Sequence, residues 1–306
     1  MNAGIRATVR TALTRGLSVF GVKRGYQGLI ENEIFPMFST DVSNILQRGG
    51  TILHTARSDE FLTPEGRFRA ASNLRDRGIE GLVVFGGDGS FRGANDLQRE
   101  HGVRVVGAPA TIDNDIWGTD FTIGFDTAVN TALEAVDKVR DTAAAHDRLF
   151  IVEVMGRHAG FIALEVGVGT GAEGILIPET PTDIPLICKK LMSRTESGRT
   201  SSILVVAEGD EEGSAYEIAG KIEAISGIKS RVTVLGHVQR GGNPTTSDRI
   251  LATKLGYAAV MALIEDAAPC MVGVENGLIS RHPLADAWTR KKALDELLIQ
   301  LSSGLE

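Results

Sequence analysis

Cysteine is almost absent from this chain: Cys188 and Cys270 are the only two in 306 residues. So sparse and distant a pair excludes a disulfide framework and a thiolate metal site. It agrees with a reducing compartment. The six histidines are scattered, with no two at metal-ligand spacing. Basic charge is not in excess either, since 32 Lys and Arg stand against 39 Asp and Glu, for a net charge of -7. That balance argues against a general nucleic-acid binder but leaves room for a local basic pocket. No long apolar run occurs, because the most apolar stretch, Ala159 to Pro178, is broken by Glu165, Glu173 and repeated glycines. Nothing here reads as a membrane span or as a basic-then-apolar leader, and a cytoplasmic location is expected. Internal repeats and low-complexity linkers are missing too.

Glycine is what the chain has in abundance: 36 residues, where the usual share of about 7% would give roughly 21. Short apolar runs read as buried strands at Leu82 to Phe85, Val103 to Val106, Leu149 to Val154, Ile175 to Ile177, Ile203 to Ala207 and Val232 to Leu235. Ala128 to Ala145 and Thr245 to Glu265 have helical spacing between them. Strand and helix in alternation predict an α/β fold with parallel sheets covered on both faces. Ligands of such sheets sit beyond the carboxyl ends of the strands. The chain opens on a helix, with Ile5, Val9, Ala12 and Leu13 on one face and Gly16 as its stop, before a strand candidate at Leu17 to Val22. It therefore begins inside a βαβ unit, at a helix without its preceding strand.

Four glycine-and-charge clusters follow strand ends. Gly86-Gly87-Asp88-Gly89-Ser90 lets backbone N–H groups approach phosphate oxygens at a helix N-terminus, and Gly93 one turn on keeps that surface open. A plain Asp-Gly turn with Ser90 as helix cap fits the same five residues. Pro109 to Asp115 carries Thr111, Asp113 and Asp115, which share one face if the segment is extended; two such carboxylates can divide into a metal partner and a proton acceptor. Met155-Gly156-Arg157-His158-Ala159-Gly160 places an arginine fork, suited to phosphate, between two glycines. Leu235 to Gly242, with His237 and Arg240 and preceded by Arg231, suits a sugar-phosphate pocket, and Glu208 at a strand end suits hydroxyls. Each has a bland reading as an ion pair, a structural histidine or a surface acid. Together they point to phosphoryl transfer.

In their order, Gly-Gly-Asp-Gly, Thr-Ile-Asp-Asn-Asp, Met-Gly-Arg-x-x-Gly and Gly-His-Val-Gln-Arg-Gly-Gly resemble the ATP-dependent 6-phosphofructokinase family, from Met1 to about Ser280. The resemblance implies a large ATP-binding domain (residues 1–124 and 239–289), a small sugar-phosphate domain (residues 125–238 and 290–306), and an active site in the cleft between them. It implies Asp113 as general base toward the 1-hydroxyl of fructose 6-phosphate, with Thr111, Arg57 and Arg157 steadying the phosphoryl group. Asp88 and Asp115 would serve Mg²⁺. Tyr26, Arg57, Gly89, Ser90 and Gly93 would meet ATP. Thr111, Asp113, Met155, Gly156, Arg157, Glu208, His237 and Arg240 would bind the sugar, with Arg148 and Arg231 reaching a neighbouring subunit's site in a homotetramer. Arg6, Arg10, Arg140, Glu173 and Arg199 match an effector site for a nucleotide or phosphoenolpyruvate.

Gly89 and Ala110 occupy positions where pyrophosphate-using relatives carry Asp and Lys, so ATP is the expected donor. A pyrophosphate-dependent kinase and a catalytically weak binding subunit are the rival readings, and turnover with each donor separates them. Two departures from the family pattern stand out. The family's first strand and Gly-Gly-Asp loop have no counterpart ahead of the Met1 helix, for which a start codon assigned too late is the expected explanation. At the effector site Ser39 and Asn44 replace a basic and an acidic residue, and weakened regulation is expected.

Overall fold

The computed structural model describes residues 1–144, 148–197 and 201–304. Two compact units account for them: residues 1–111, 116–124 and 243–292, and residues 112–115, 125–242 and 293–306. In chain order the first unit contributes α1 (Asn2–Thr14), β1 (Phe20–Val22), α2 (Gly25–Ile30), β2 (Ile34–Pro36), α3 (Pro64–Asp76), β3 (Gly81–Gly86), α4 (Asp88–His101) and β4 (Arg104–Pro109). The second unit follows with α5 (Phe125–Ala144), β5 (Leu149–Val154), α6 (Phe161–Thr170), β6 (Gly174–Leu176), α7 (Ile184–Glu196), β7 (Ser202–Ala207), α8 (Ala215–Ser226) and β8 (Ser230–Val234). The first unit resumes with α9 (Thr246–Ile264), β9 (Cys270–Glu275), β10 (Leu278–His282) and α10 (Asp286–Thr289), and α11 (Glu296–Gly304) returns to the second. The expected α/β class holds, with two mostly parallel sheets.

In the first unit the sheet order is β10-β9-β4-β3, with β3, β4 and β9 parallel and β10 antiparallel to β9. Strand periodicity divides the side chains between two faces. Val106, Ala108 and Val272 pack with Ala252, Leu255 and Ala259 of α9, whereas Val105 and Met271 pack with Phe91 and Ala94 of α4. Burying Phe91 completely contributes about 1.5–3 kcal/mol. Helices α1 and α9 approach so closely that a Cβ on Gly256 would lie 2.5 Å from the Gly4 carbonyl oxygen. Among the described residues strand β3 has a neighbour, β4, on one edge only. Along it runs an apolar groove of about 800 Å³, lined among others by Ile5, Val9, Phe20, Val22, Val83 and Phe85.

The second unit holds an all-parallel sheet of order β6-β7-β5-β8. Val152, Val154, Ile203 and Val205 face α5 and α6, while Ile151, Leu204 and Val206 face α7 and α8. Every residue of β7 is buried, which is what a near-continuous apolar run in a doubly covered parallel sheet requires. Local chemistry sets the helix starts. Thr63 caps α3 with Pro64 in its first turn, and Ser214 and Glu217 form a reciprocal capping box on α8.

Candidate active site

In the first unit β3 ends in Gly86, and Gly87 is the N-cap of α4 with no side-chain cap. Ser90 therefore lies inside the helix, and the reading of it as the cap is not what forms. The first N–H groups of α4 are left without a capping side chain, where the helix dipole favours an anion. The glycines are there for different reasons. A Cβ on Gly86 would lie 2.4 Å from the Ser90 hydroxyl oxygen, whereas one on Gly89 would meet nothing within 4 Å. Gly89 leaves an open surface of the kind that a phosphate approaches. Tyr26 donates its hydroxyl hydrogen to the Ser90 carbonyl oxygen, and burial pushes its phenol well above the usual range. Its ring stacks on Phe61 at 3.9 Å between centroids, and a Cβ on Gly93 would come within 3.0 Å of both rings. Arg57 lies exposed in the loop ahead of this stack.

The acidic segment after β4 is not extended. Asn114 has φ 53°, so the chain bends between the two aspartates, and the alternation expected to align Thr111, Asp113 and Asp115 on one face is broken there. Asp113 is 3% exposed. Its Oδ2 is 3.5 Å from Nε of Arg157. Arg157 is itself held in the left-handed region, φ 54°, and its backbone N–H donates to Glu208 Oε1 at 2.7 Å. Gly156, φ 144°, adopts a conformation that side chains rarely allow, and a Cβ there would lie 2.4 Å from the Ala159 carbonyl oxygen. Gly156 and Arg157 follow the carboxyl end of β5 and Glu208 that of β7, where an α/β sheet presents ligand sites.

The structure thus gathers Asp113, Met155, Gly156, Arg157 and Glu208 within the second unit. His237 and Arg240 lie on the exposed side of a short 3₁₀ turn just after β8. Arg148 and Arg231 do not join them. Both are exposed at the opening end of the sheet, where Leu149 pairs with Ser230 and Phe150 with Arg231. Gln239 of the same 3₁₀ turn had no role in the sequence reading. It is 1% exposed and accepts the Met155 N–H at 3.3 Å, pinning the Met155 loop.

Of the effector candidates, Arg140 and Glu173 come together. Arg140 donates to the carbonyl oxygens of Thr170 and Gly171 at 2.9 and 3.0 Å, with Glu173 at 3.7 Å. Arg194, unremarked in the sequence, is the closer cation to Glu173, at 2.9 Å. Arg6 and Arg10 lie on α1 in the other unit, and Arg199 lies outside the described residues. Among the described residues no three His, Cys, Asp or Glu side chains group as a metal cage. Asp88 in the first turn of α4 fits Mg²⁺ that arrives with a nucleotide, because such an ion uses one or two carboxylates and takes its other ligands from phosphates and water.

A family model described as phosphofructokinase matches residues 1–263. The chain belongs to the phosphofructokinase family. It is 56% identical over 305 residues to an ATP-dependent 6-phosphofructokinase of Thermus thermophilus, covering 100% of this chain and 95% of that protein. Its identity to an ATP-dependent 6-phosphofructokinase of Clostridium tetani is 49%, with the same coverage. Among solved structures, phosphofructokinase from Saccharomyces cerevisiae superposes with a TM-score of 0.91 at 36% identity, over 99% of this chain and 45% of that one. This chain therefore spans less than half of the yeast chain. A pyrophosphate-dependent phosphofructokinase from Marinobacter aquaeolei shares the fold, with a TM-score of 0.82 at 22% identity over 96% of this chain and 82% of that one. Within this family frame the uncapped α4 and the Asp113–Arg157 pair are the two features with chemistry to offer.

Proposed function

We propose that this chain transfers the terminal phosphoryl group of ATP to the 1-hydroxyl of fructose 6-phosphate, giving fructose 1,6-bisphosphate and ADP. The observation that carries this reading is the buried Asp113 carboxyl beside Arg157, in a chain with full-length likeness to ATP-dependent 6-phosphofructokinases. Phosphoryl transfer needs positioning and charge stabilisation more than covalent help. Asp113 takes the proton of the attacking hydroxyl, and Arg157, Arg57 and Thr111 meet the charge on the moving phosphoryl group. Met155, Gly156, Glu208, His237 and Arg240 hold the sugar phosphate, with Glu208 doing double service by fixing the Arg157 backbone. Tyr26, Gly89, Ser90 and Gly93 receive the nucleotide, and Asp88 and Asp115 serve Mg²⁺. When bound, Mg²⁺ neutralises phosphate charge.

The two units serve in this reading as donor domain and sugar domain. Arg148 and Arg231, exposed at the opening end of the sheet and away from Glu208, are available to a second copy's sugar site, in keeping with the homotetramer that this reading includes. Arg6 and Arg10 of the first unit, Arg140 and Glu173 of the second, and Arg199 are the residues that would meet an effector, and Ser39 and Asn44 weaken that response, so ADP should bind poorly, as equilibrium titration can check. No helix among the described residues is long and apolar enough to cross a membrane, and a cytoplasmic setting suits the substrates. The test of the whole reading is turnover of fructose 6-phosphate with ATP or pyrophosphate and Mg²⁺, for the wild type and Asp113→Asn. ATP-dependent turnover that falls by about 10²–10⁴-fold in Asp113→Asn is expected, the span typical of a lost general base. A variant that keeps a tenth or more of the rate removes Asp113 from that role.

A further inference from the structure

Arg67 of α3 is 8% exposed, and its guanidinium reaches two neighbours at once. Nε and Nη2 donate to the two carboxylate oxygens of Glu100 at 2.6 and 2.8 Å. Nη1 donates to the carbonyl oxygens of Phe61 and Leu62 at 3.1 and 2.8 Å. Phe61 carries the ring that stacks on Tyr26, with planes 6° apart. Tyr26 in turn donates to Ser90 in the first turn of α4, and Glu100 lies in the last turn of that helix. The contacts close a ring: Arg67, Phe61, Tyr26, Ser90, the length of α4, Glu100 and back to Arg67.

From this ring we infer that Arg67 is a positioning residue for the phosphoryl donor. Its fork fixes the Phe61 turn and, through the Phe61–Tyr26 stack, the first turn of α4. The inference rests on the donor reading of that loop given above. A tie between α3 and α4 alone needs only the Glu100 pair. The two carbonyl bonds have no such purpose, and they aim at the turn beneath Tyr26. The turn is tied to α2 as well, since the Ser58 hydroxyl accepts the Phe61 N–H at 3.2 Å and donates to Gln27 at 2.7 Å. A lysine at position 67 keeps the charge but, as a single ammonium, lacks the planar fork. It cannot span the carboxylate and both carbonyl groups together.

The experiment compares wild type with Arg67→Lys and Phe61→Leu, measuring steady-state kinetics for both substrates, calorimetric binding of Mg-ATP, and hydrogen exchange. A small displacement of a positioned group costs up to about 10²-fold, and we expect the KM and Kd for ATP to rise about tenfold in both variants. The KM for fructose 6-phosphate, and kcat at saturating ATP, should stay within about twofold, the split that separates lost binding from lost catalysis. Amides of Ser90 to Gly93 should exchange faster in both. Unchanged ATP affinity in folded Arg67→Lys overturns the inference, as does a fall in kcat with both KM values unchanged. Should Arg67→Lys fail to fold, Phe61→Leu keeps the ion pair and removes the stack, and unchanged ATP affinity there overturns it equally. A wild type that binds no Mg-ATP overturns the donor reading instead, and the role of Arg67 in ordering α4 is then decided by whether the Ser90 to Gly93 amides speed up.

Discussion

A Cβ on Gly209 would lie 1.8 Å from the carbonyl oxygen of Arg157. The chain leaving β7 thus touches the backbone of the loop leaving β5, and only glycine permits it. Glu208, one residue earlier, accepts the Arg157 N–H from that same loop. Together they hold Arg157 in its left-handed conformation and its side chain toward Asp113. Gly209→Ala is therefore expected to cost about 1–3 kcal/mol of stability, the range for forced overpacking. It should also lower kcat/KM for fructose 6-phosphate tenfold or more while leaving the KM for ATP in place. Thermal unfolding and two-substrate kinetics on one preparation check both halves.

Gly86 and Gly89 make a contrasting pair in the proposed donor loop. Gly86 packs against Ser90, so Gly86→Ala must displace Ser90 and with it the carbonyl that Tyr26 holds. Gly89 is open and lies inside α4, so Gly89→Ala is expected to raise stability by about 0.4–1 kcal/mol through reduced freedom of the unfolded chain. Gly89→Asp should fold equally well, because an acid suits the first turn of a helix. Its charge would face the nucleotide phosphates, and the KM for ATP should rise at least about tenfold (about 1.4 kcal/mol). Normal ATP affinity in Gly89→Asp would remove the phosphate seat from this loop.

Much of this was legible in the sequence, and the reasons are physical. Strands inside parallel sheets leave unbroken apolar runs, so β3, β5 and β7 were plain, and the glycine-rich ends that follow them marked the loops that hold the candidate residues. The bend at Asn114 was not legible, because an asparagine that tolerates positive φ looks the same in an extended segment. Nor was the role of Gln239, which depends on β8 and β5 being neighbours, a long-range fact. The antiparallel β9–β10 hairpin went unread although its signal was present. Asn276 and Gly277 form a two-residue turn with φ 52° and 80°, the Asn-Gly chemistry that favours such hairpins. Arg194 was hidden for a further reason, since its meeting with Glu173 joins α7 to the segment ahead of β6.

Acid should destabilise the fold through a small set of carboxylates. The Arg67 fork holds Glu100 below the ordinary glutamate range. Gln27 and Arg24 lower Glu31, Arg24 lowers Glu33, and the Ser214 backbone lowers Glu217. A carboxylate depressed in the folded state stabilises above its unfolded pKa, about 4.3 for glutamate, and loses that contribution as pH falls through the folded value. Glu31, Glu33 and Glu217 are solvent-screened and should contribute little. The urea midpoint should therefore hold steady down to about pH 5 and fall below that, and Glu100→Gln should flatten the fall. A midpoint independent of pH between 5 and 3 contradicts the assignment.

Strands β3 and β4 are alike in sequence character and unlike in surroundings. β4 is paired on both sides, with β3 and β9, and Val105 to Pro109 are buried. β3 is paired on one side, its residues Leu82 to Phe85 are half-buried, and the other edge opens on the 800 Å³ apolar groove. Half of β3's N–H and C=O groups point away from β4, as alternation in a parallel ladder demands, and an unpaired edge of this kind is a template for another extended segment. Amide exchange should therefore rank the two strands clearly. The β4 amides should exchange only through global unfolding, whereas the outward amides of β3 should exchange at least about tenfold faster, a difference of about 1.4 kcal/mol in opening free energy. An extended apolar segment placed along that edge should slow the outward β3 amides alone, because β4 already has both its partners. Equal protection of β3 and β4 in the chain as it stands would mean that the groove is closed in solution.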